Sequence, residues 1–273
     1  MIFFAGALVL FLLLWGLFNF TGPIVLRMIR ALGEKTASFR YGEYLGVVLL
    51  LAVGSFITVR AGDGFLDLAE LLTKQSPELR AIDTQVHRWA ATERSTGATT
   101  FFMLMTTIGT PVGLGIIVAI VCCVLLAGGR YRWFWYLLTT SAVGALMVVR
   151  LKLYFARERP ALAEALRQAH GYSFPSGHAM GSTVVALALA YLVSRTKWAW
   201  KVRAALLSVL VTFIVSVAFS RVYLGVHWIS DVAAGITGGT LWVTVATLGY
   251  ETVRRVRKVR ALRAARVSEG PPA

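Results

Sequence analysis

The sequence predicts an all-α, polytopic transmembrane helix bundle, and three observations carry that prediction. Of the 273 residues, 57% are hydrophobic and only 15% are charged, whereas a soluble domain is about 45–50% apolar and about 25% charged. Stretches without any charge recur along the chain, and a membrane helix needs about 20 mostly apolar residues. The net charge of +15 is unevenly distributed between alternate connections, which is typical of a membrane protein with a fixed orientation.

Seven charge-free stretches are candidate spans. They are residues 1–26, 44–59, 95–129, 133–149, 179–194, 204–220 and 232–250. The second, fourth and fifth are short, so we expect them to extend into flanking residues. The first stretch differs from a signal peptide because it lacks a positive start and its first charge, Arg27, follows the apolar run. We predict an uncleaved helix there, with its N-terminus outside.

The charges in the connections test this arrangement. The alternate connections 27–43, 130–132, 195–203 and 251–273 hold 17 Lys and Arg against four Glu, a net charge of +13. All other positions hold 11 Lys and Arg against nine acidic residues, a net charge of +2. The positive-inside rule places the first set in the cytoplasm. The same distribution argues against a nucleic-acid binder, because the basic residues occupy short loops rather than one soluble face.

The chain divides into three predicted parts. Residues 1–43 form an N-terminal span with a basic cytoplasmic loop, residues 44–250 form the core, and residues 251–273 form a basic cytoplasmic tail. Within the core, the outer segment 60–99 contains Leu79, Ile82, Val86 and Trp89 at helical spacing. This pattern predicts an amphipathic helix at the membrane interface, or one that packs on the outer end of the bundle, with His87 on its exposed face. The adjacent Cys122 and Cys123 are not expected to form a disulfide.

Polar and charged residues cluster at four span ends. They are Lys152, Arg157 and Arg159 after the fourth span, Ser176, Gly177 and His178 at the start of the fifth, Ser220 and Arg221 at the end of the sixth, and His227 and Asp231 at the start of the seventh. In the predicted topology all four ends emerge on the same outer face. Ionisable groups at membrane depth are costly and mark functional sites. Pro160 stops any helix that continues from the fourth span.

The cluster has the chemistry of a phosphate site. Ser176 precedes an apolar run and is a candidate helix cap, and Gly177 lets a ligand approach the backbone closely. A helix N-terminus offers N–H groups and partial positive charge to an anion. Lys152, Arg159 and Arg221 add three cations, and the two guanidinium groups match phosphate oxygens.

Two histidines complete the predicted site. His227 and Asp231 are four residues apart, on one face of a helix if the helix begins there. A carboxylate on one ring nitrogen fixes the tautomer and leaves the other nitrogen basic, so His227 is the candidate nucleophile. His178 is then the general acid for the leaving oxygen.

Each element has an ordinary explanation when it is taken alone. The basic residues after the fourth span then snorkel to the interface, the Ser-Gly pair only caps a helix, and Asp231 only complements a helix dipole. Their convergence at one face favours a functional site over these separate explanations. His170, in the preceding loop, is expected to be solvated rather than in contact with substrate.

The motifs resemble those of the type 2 phosphatidic acid phosphatase (PAP2) family, which is related to vanadium haloperoxidases. That family's signature is K-x6-R-P, then P-S-G-H, then S-R-x5-H-x3-D. Here the three parts run from Lys152 to Pro160, from Pro175 to His178 and from Ser220 to Asp231, without a substitution. The resemblance implies a six-span core, with the first helix as an extra N-terminal span.

The resemblance also implies roles for the site residues. His227 forms a phosphohistidine supported by Asp231, and His178 protonates the leaving group and then activates water. The implied phosphoryl-binding residues are Lys152, Arg159, Ser176, Gly177, His178 and Arg221. No metal and no other cofactor is implied.

We therefore expect a metal-independent phosphatase of the inner cell membrane that hydrolyses a lipid phosphate or diphosphate. The expected substrates are undecaprenyl diphosphate, phosphatidylglycerol phosphate and phosphatidic acid. Within the family, the motifs resemble those of the bacterial phosphatases that act on the first two. The site is expected on the periplasmic or extracellular side and the C-terminus in the cytoplasm. Membrane lipids are the expected partners and nucleic acid is not. A phosphotransferase that uses a lipid or sugar acceptor, and a non-enzymatic lipid-binding or transport protein, are the alternatives. The sequence leaves the oligomeric state open.

Overall fold

The computed structural model describes residues 2–36, 42–160 and 165–268, and in these ranges the chain is helical apart from short connections. The helices are α1 (Ile2–Thr36), α2 (Gly42–Thr73), α3 (Pro77–Thr92), α4 (Thr96–Ile108), α5 (Pro111–Ala127), α6 (Tyr131–Phe155), α7 (Gly177–Ser194), α8 (Trp200–Tyr223) and α9 (Ile229–Ser268). No strand occurs in these ranges, so the predicted all-α class is confirmed.

Five helices of the described ranges are long and apolar enough to cross a membrane. They lie at Ala5–Val25, Tyr131–Phe155, Gly177–Ser194, Trp200–Tyr223 and Ile229–Lys258. A sixth span results if α4 and α5 together count as one. The predicted span 44–59 falls in α2, where side chains of residues 42–47 and 50 lie outside the described set. That seventh span therefore stays a prediction.

The charge-free stretch 95–129, which the sequence predicts as one candidate span, is not one continuous helix. It is divided between α4 and α5, whose axes differ by 57°. Gly109 ends α4, and Thr110 caps α5 by accepting a hydrogen bond from the Gly113 N–H at 3.1 Å. Pro111 is the first residue of α5. Proline has no N–H to donate to the preceding turn, so the helix breaks at this point.

Two predicted connections are largely helical. In the predicted loop 27–43, residues up to Thr36 continue α1, and in the predicted tail 251–273, residues up to Ser268 continue α9. Charge marks where a helix leaves the membrane but does not end it, because Arg, Lys, Ala and Leu all favour the helical state. Residues 37–41 and 269–273 of these two segments lie outside the described ranges.

Helix α3 packs on the end of the bundle, with Leu79 buried and Val86 against a buried cluster as predicted, but the other two residues of the predicted stripe do not face the bundle. Ile82 and Trp89 are about half exposed, whereas Asp83 and Ala90 are buried. His87 is also buried, against the ring of Trp228 at 5.5 Å between centroids, so its predicted exposed position is wrong. Asp83 and Ala90 thus replace Ile82 and Trp89 on the buried face. The reason is the hydrogen bonds of Asp83 to Ser230 at the start of α9, a polar contact that a hydropathy pattern does not reveal.

Helix α7 is the centre of the bundle and is packed between α6, α8 and α9. Its crossing with α9 is close because α9 presents glycines. A Cβ at Gly235 would lie 2.8 Å from the Ser176 carbonyl oxygen and 3.0 Å from the Met180 nitrogen, and a Cβ at Gly239 would lie 2.9 Å from the Thr183 Cβ. Small residues that allow backbones to approach are typical of membrane helix pairs. This contact holds the N-terminus of α7 beside the first turn of α9.

The opposite end of α7 is tied to α9 by a buried acid. Glu251 is 2% exposed and accepts hydrogen bonds from the Tyr191 hydroxyl and from Arg254 at 2.7 Å. Arg195, at the end of α7, lies 3.6 Å from the same carboxylate. The basic residues around Glu251 therefore lie at one end of α7 and α9, and the predicted site lies at the other end.

Candidate active site

The predicted site residues converge at one end of the bundle. The end of α6, the loop before α7, the first turn of α7, the end of α8 and the turn before α9 surround one cavity of about 740 Å³. The cavity is lined by the predicted residues Lys152, Arg159, Gly177, His178, Arg221 and His227. Ser176 and Asp231 are buried behind it.

His227 is held between a carboxylate and a guanidinium. It lies in the turn before α9 rather than on that helix, and its Nδ1 is 3.2 Å from Asp231 Oδ2. Its Nε2 lies 3.1 Å from Arg159 Nη1. A guanidinium only donates hydrogen bonds, so Nε2 accepts and we assign the ring proton to Nδ1, facing the carboxylate. The lone pair of Nε2 therefore faces the cavity and its cations.

The environment keeps His227 neutral. Burial, followed by the nearby charges of Arg221 and Arg159, holds the pKa of His227 well below its ordinary value. A neutral imidazole has a lone pair for attack on phosphorus, which an imidazolium lacks. Asp231 is fixed as well, because its Oδ2 also accepts from the backbone N–H of Trp228 at 3.0 Å.

Two of the predicted cations are held by loop carbonyls. Arg159 donates to the carbonyl oxygens of Val226 at 2.7 Å and Gly171 at 2.9 Å, and to two neighbouring carbonyls at 3.2 Å. Lys152 donates to the carbonyl oxygens of Tyr172 and Ser173. These bonds hold both side chains at the cavity wall. Both keep their positive charge, because a carbonyl is a dipole and does not neutralise a cation.

Arg221 is the third cation and comes from the end of α8. It is 3% exposed and donates to the hydroxyl of Thr106, which is fully buried in α4. The predicted motif residue Ser220 is different, since its hydroxyl donates to the Val217 carbonyl of the same helix at 2.6 Å. Ser220 therefore does not face the cavity.

The start of α7 departs from one sequence expectation. Ser176 occupies the cap position, but its hydroxyl makes no capping hydrogen bond. Within the described ranges, Ser176 Oγ, His178 Nε2 and Arg221 Nε are buried and have no hydrogen-bond partner. Buried polar atoms without a partner are uncommon in folded proteins. Of these residues, His178 and Arg221 line the cavity, so their unpaired atoms are available to an anionic ligand.

Gly177 has a packing role that the sequence did not indicate. A Cβ at this position would lie 3.2 Å from Val148 Cγ1 and 3.6 Å from Lys152 Cε. A side chain there would press on α6 and on the stem of the cation. The glycine thus keeps Lys152 next to the first turn of α7.

Sequence reasoning missed three residues around the site. Asp83, on α3, binds Arg157, and Arg157 binds Asp231, so Arg157 is not the interfacial residue that its position alone suggested. Thr106 holds Arg221, and Arg167 lines the cavity beside the predicted cations. The sequence signal for Thr106 is weak, since it is one polar residue on the apolar helix α4. Asp83 gives no signal, since it is one of several charged residues on α3 and its pairing with Arg157 is a long-range contact. His170, as expected, is exposed, and it also lies at the cavity wall.

Away from the predicted phosphate-binding residues the cavity is apolar and extends between α5, α6 and α7. Leu114, Val118, Val149 and Val184 contribute to its walls, and so does the buried Cys122. Apolar pockets with a few convergent polar groups are typical small-molecule sites. One cavity therefore joins a cationic end to an apolar channel within the bundle.

The described residues contain no group of three or more His, Cys, Asp or Glu side chains arranged to hold a metal ion. The expected metal independence of the reaction stays a prediction. Cys122 and Cys123 are free thiols, as expected.

Parts of the chain are similar to known proteins. Residues 132–255 match the family model of the PAP2 superfamily. Phosphatidylglycerophosphatase B of Bacillus subtilis is 37% identical over 92 residues, which are 33% of this chain and 45% of that protein. Undecaprenyl-diphosphatase of Sulfolobus acidocaldarius is 38% identical over 81 residues, which are 30% of this chain and 34% of that protein. The chain thus matches less than half the length of each relative.

A solved structure supports the fold. The crystal structure of a transmembrane PAP2 type phosphatidylglycerolphosphate phosphatase from Bacillus subtilis aligns with a TM-score of 0.67 at 24% identity, covering 72% of this chain and 98% of that one. This likeness concerns the fold alone and confirms the predicted helical membrane bundle. Residues 132–255, the part of the chain that matches the PAP2 superfamily model, contain all three sequence motifs and every predicted site residue.

Proposed function

We propose that the protein hydrolyses a lipid phosphate or diphosphate through a phosphohistidine at His227. The observation that carries this proposal is the single cavity that joins Lys152, Arg159 and Arg221 to an apolar channel between α5, α6 and α7. A lipid with a phosphorylated headgroup has the matching distribution of charge and hydrocarbon. The unequal loop charges support a site at the outer face of the inner membrane, with the C-terminus in the cytoplasm.

The first half-reaction transfers the terminal phosphoryl group to the protein. The lone pair of His227 Nε2 forms a bond to phosphorus while the bond from phosphorus to the leaving oxygen breaks. His178 donates a proton to that oxygen, and Asp231 stabilises the positive charge that develops on the His227 ring. Arg159, at 3.1 Å from Nε2, is placed to bind the phosphoryl oxygens as they approach, and Arg221 and Lys152 spread the remaining charge.

The second half-reaction hydrolyses the phosphohistidine and regenerates free His227. His178, now lacking its proton, takes one from water, and the water oxygen attacks phosphorus as the bond to Nε2 breaks. Inorganic phosphate leaves and both histidines regain their starting protonation states. Over the complete cycle one water is consumed: its oxygen becomes part of inorganic phosphate, its protons end on the two products, and no oxidation state changes.

The names of two relatives support the choice of lipid substrates. One is named as acting on phosphatidylglycerol phosphate and the other on undecaprenyl diphosphate. These are a phosphate monoester and a diphosphate, each on a hydrophobic chain. We place a polyprenyl diphosphate first, because Arg167 adds a fourth cation at the cavity wall and a diphosphate carries more negative charge than a monoester.

A panel of lipid phosphates tests the proposed function. We expect the detergent-purified protein to release inorganic phosphate from undecaprenyl diphosphate, phosphatidylglycerol phosphate or phosphatidic acid, with or without a chelator. Strict dependence on a divalent ion would contradict metal independence. Transfer of label to an added lipid or sugar acceptor in preference to water would indicate a phosphotransferase. Lipid binding without phosphate release would favour the non-enzymatic alternative.

Arg167 is expected to favour diphosphates over monophosphates. Arg167→Gln removes one cation beside the site and should lower the ratio of kcat/KM for a lipid diphosphate to that for a lipid monophosphate by about 10-fold, the worth of one charge-assisted contact. The two kcat/KM values on the same preparation measure this ratio. Arg88→Gln removes an exposed cation of α3 outside the cavity and is the matched control. An unchanged ratio in Arg167→Gln would remove the assigned role.

A further inference from the structure

Behind the predicted nucleophile, buried charges alternate in sign. Asp83 Oδ2 lies 2.6 Å from Arg157 Nη2, Arg157 Nη1 lies 2.6 Å from Asp231 Oδ1, and Asp231 Oδ2 lies 3.2 Å from His227 Nδ1. The side chains of Asp83, Arg157 and Asp231 are 2%, 12% and 0% exposed. The chain of contacts begins on α3, outside residues 132–255 that match the family model.

Further hydrogen bonds fix this chain in place. Ser230 Oγ accepts from Arg157 at 2.7 Å and donates to Asp83 at 2.7 Å, and the Ser230 backbone N–H donates to the other Asp83 oxygen at 3.0 Å. The guanidinium also lies over the ring of Trp228 at 5.7 Å. Arg157 therefore has one orientation, set from α3 and from the start of α9.

We infer that Asp83 and Arg157 are positioning residues for the reaction: together they fix the orientation of the Asp231 carboxylate and the net charge that supports His227. This inference rests on the proposed function. With His227 neutral, the formal charges of the four side chains sum to −1. When His227 becomes cationic on binding phosphorus, they sum to zero. A buried group of charges is most favourable when it is balanced, so the arrangement favours the phosphorylated histidine.

Asp83 is needed because Arg157 alone neutralises Asp231. Without the Asp83 charge, the remaining pair has no net charge, and the cationic ring of the intermediate is left with an uncompensated positive charge. Without Arg157, two buried carboxylates remain close to each other, and one of them is expected to hold a proton. Loss of Asp83 thus removes one negative charge from the group, whereas loss of Arg157 leaves Asp231 without the cation that keeps it ionised, and a protonated Asp231 does not support a cationic His227.

The test is a double-mutant cycle with Asp83→Asn and Arg157→Met. Each single variant is expected to lose about 10- to 100-fold in kcat, as is typical of groups that orient a reacting ligand from behind, with KM changed less than about threefold because neither residue binds substrate. In the double variant Asp231 is the one remaining carboxylate of this group and keeps its charge, so we expect this variant to be about 10-fold more active than Arg157→Met, a coupling that only interacting groups show.

Several controls distinguish a loss of positioning in a folded protein from a loss of folding. Thermal unfolding in detergent and inhibition by inorganic phosphate report on the folded site in every variant. Where Arg157→Met fails to fold, Arg157→Lys keeps the charge but loses the two-pronged contact, and pairing it with Asp83→Asn should then add to the loss. Glu158→Gln removes an exposed acid at the same end of the bundle and should leave kcat unchanged.

Three results would overturn the inference. They are full kcat in Asp83→Asn, additive losses in the double variant with methionine, and losses confined to KM or to thermal stability. These results differ from a failure of the proposed function, in which the unmodified protein itself releases no phosphate from lipids or forms no phosphohistidine.

Discussion

Replacement of His227 by glutamine is expected to reduce kcat on any lipid phosphate by at least about 10⁴-fold, the scale of losing a nucleophile. Glutamine has a similar length and an oxygen that accepts the Arg159 hydrogen bond, so the cations should stay in place. It has no lone pair able to form a stable bond to phosphorus. Phosphate release from detergent-solubilised substrate measures the effect.

Folding and binding distinguish this chemical loss from a damaged protein. His227→Gln should elute as the unmodified protein does in size exclusion and should still be inhibited competitively, or bind labelled inorganic phosphate, through Lys152, Arg159 and Arg221. Turnover in a folded His227→Gln variant within about 10-fold of the unmodified protein is incompatible with nucleophilic catalysis by this residue.

His178→Asn is expected to affect substrates according to their leaving groups. A lipid alcohol is a poor leaving group and needs a proton, whereas a lipid phosphate, whose second pKa is about 6, leaves without one. We expect the first turnover to slow by about 10³-fold for a lipid monophosphate, which is within the range of general acid catalysis, and much less for a lipid diphosphate. Rapid-quench measurement of the released lipid gives both rates.

The same variant should accumulate the intermediate when the substrate is a diphosphate. Water activation also needs His178, so the second half-reaction slows even though the first remains fast. A burst of lipid monophosphate, followed by slow release of inorganic phosphate, is the expected time course. Equal slowing of the first turnover for both substrates would show that His178 does not protonate the leaving group.

The sequence predicted most of the candidate site because the signals are local. Two groups of site residues are close together in the sequence, so their relative positions follow from helix geometry. They are Ser176, Gly177 and His178 at the start of an apolar run, and His227 four residues before Asp231. Lys152, Arg159 and Arg221 lie at span ends that the loop charges place on one face. The predicted membrane topology thus brought together residues that are far apart in the sequence. The sequence of a soluble protein contains no comparable signal.

The parts that were missed depend on tertiary contacts or on where helices end. Asp83 binds Arg157 across about 70 residues of chain, and the hydrophobic pattern of α3 favoured a face rotated away from it. Charge-free length marked the spans but not the extent of α1 and α9, since basic residues continue a helix readily. The break between α4 and α5 carries a local signal, Gly109-Thr110-Pro111, which the count of uncharged residues overlooked.

The central claim is a covalent bond between His227 and phosphorus, and trapping it is the most direct test. His178→Asn is mixed with a polyprenyl diphosphate labelled in its terminal phosphate and stopped in alkali, where phosphohistidine survives. We expect about one label per protein, lost in acid and located by peptide mass spectrometry on His227. Label on another residue, or turnover by this variant with no labelled protein at any time, would contradict the mechanism.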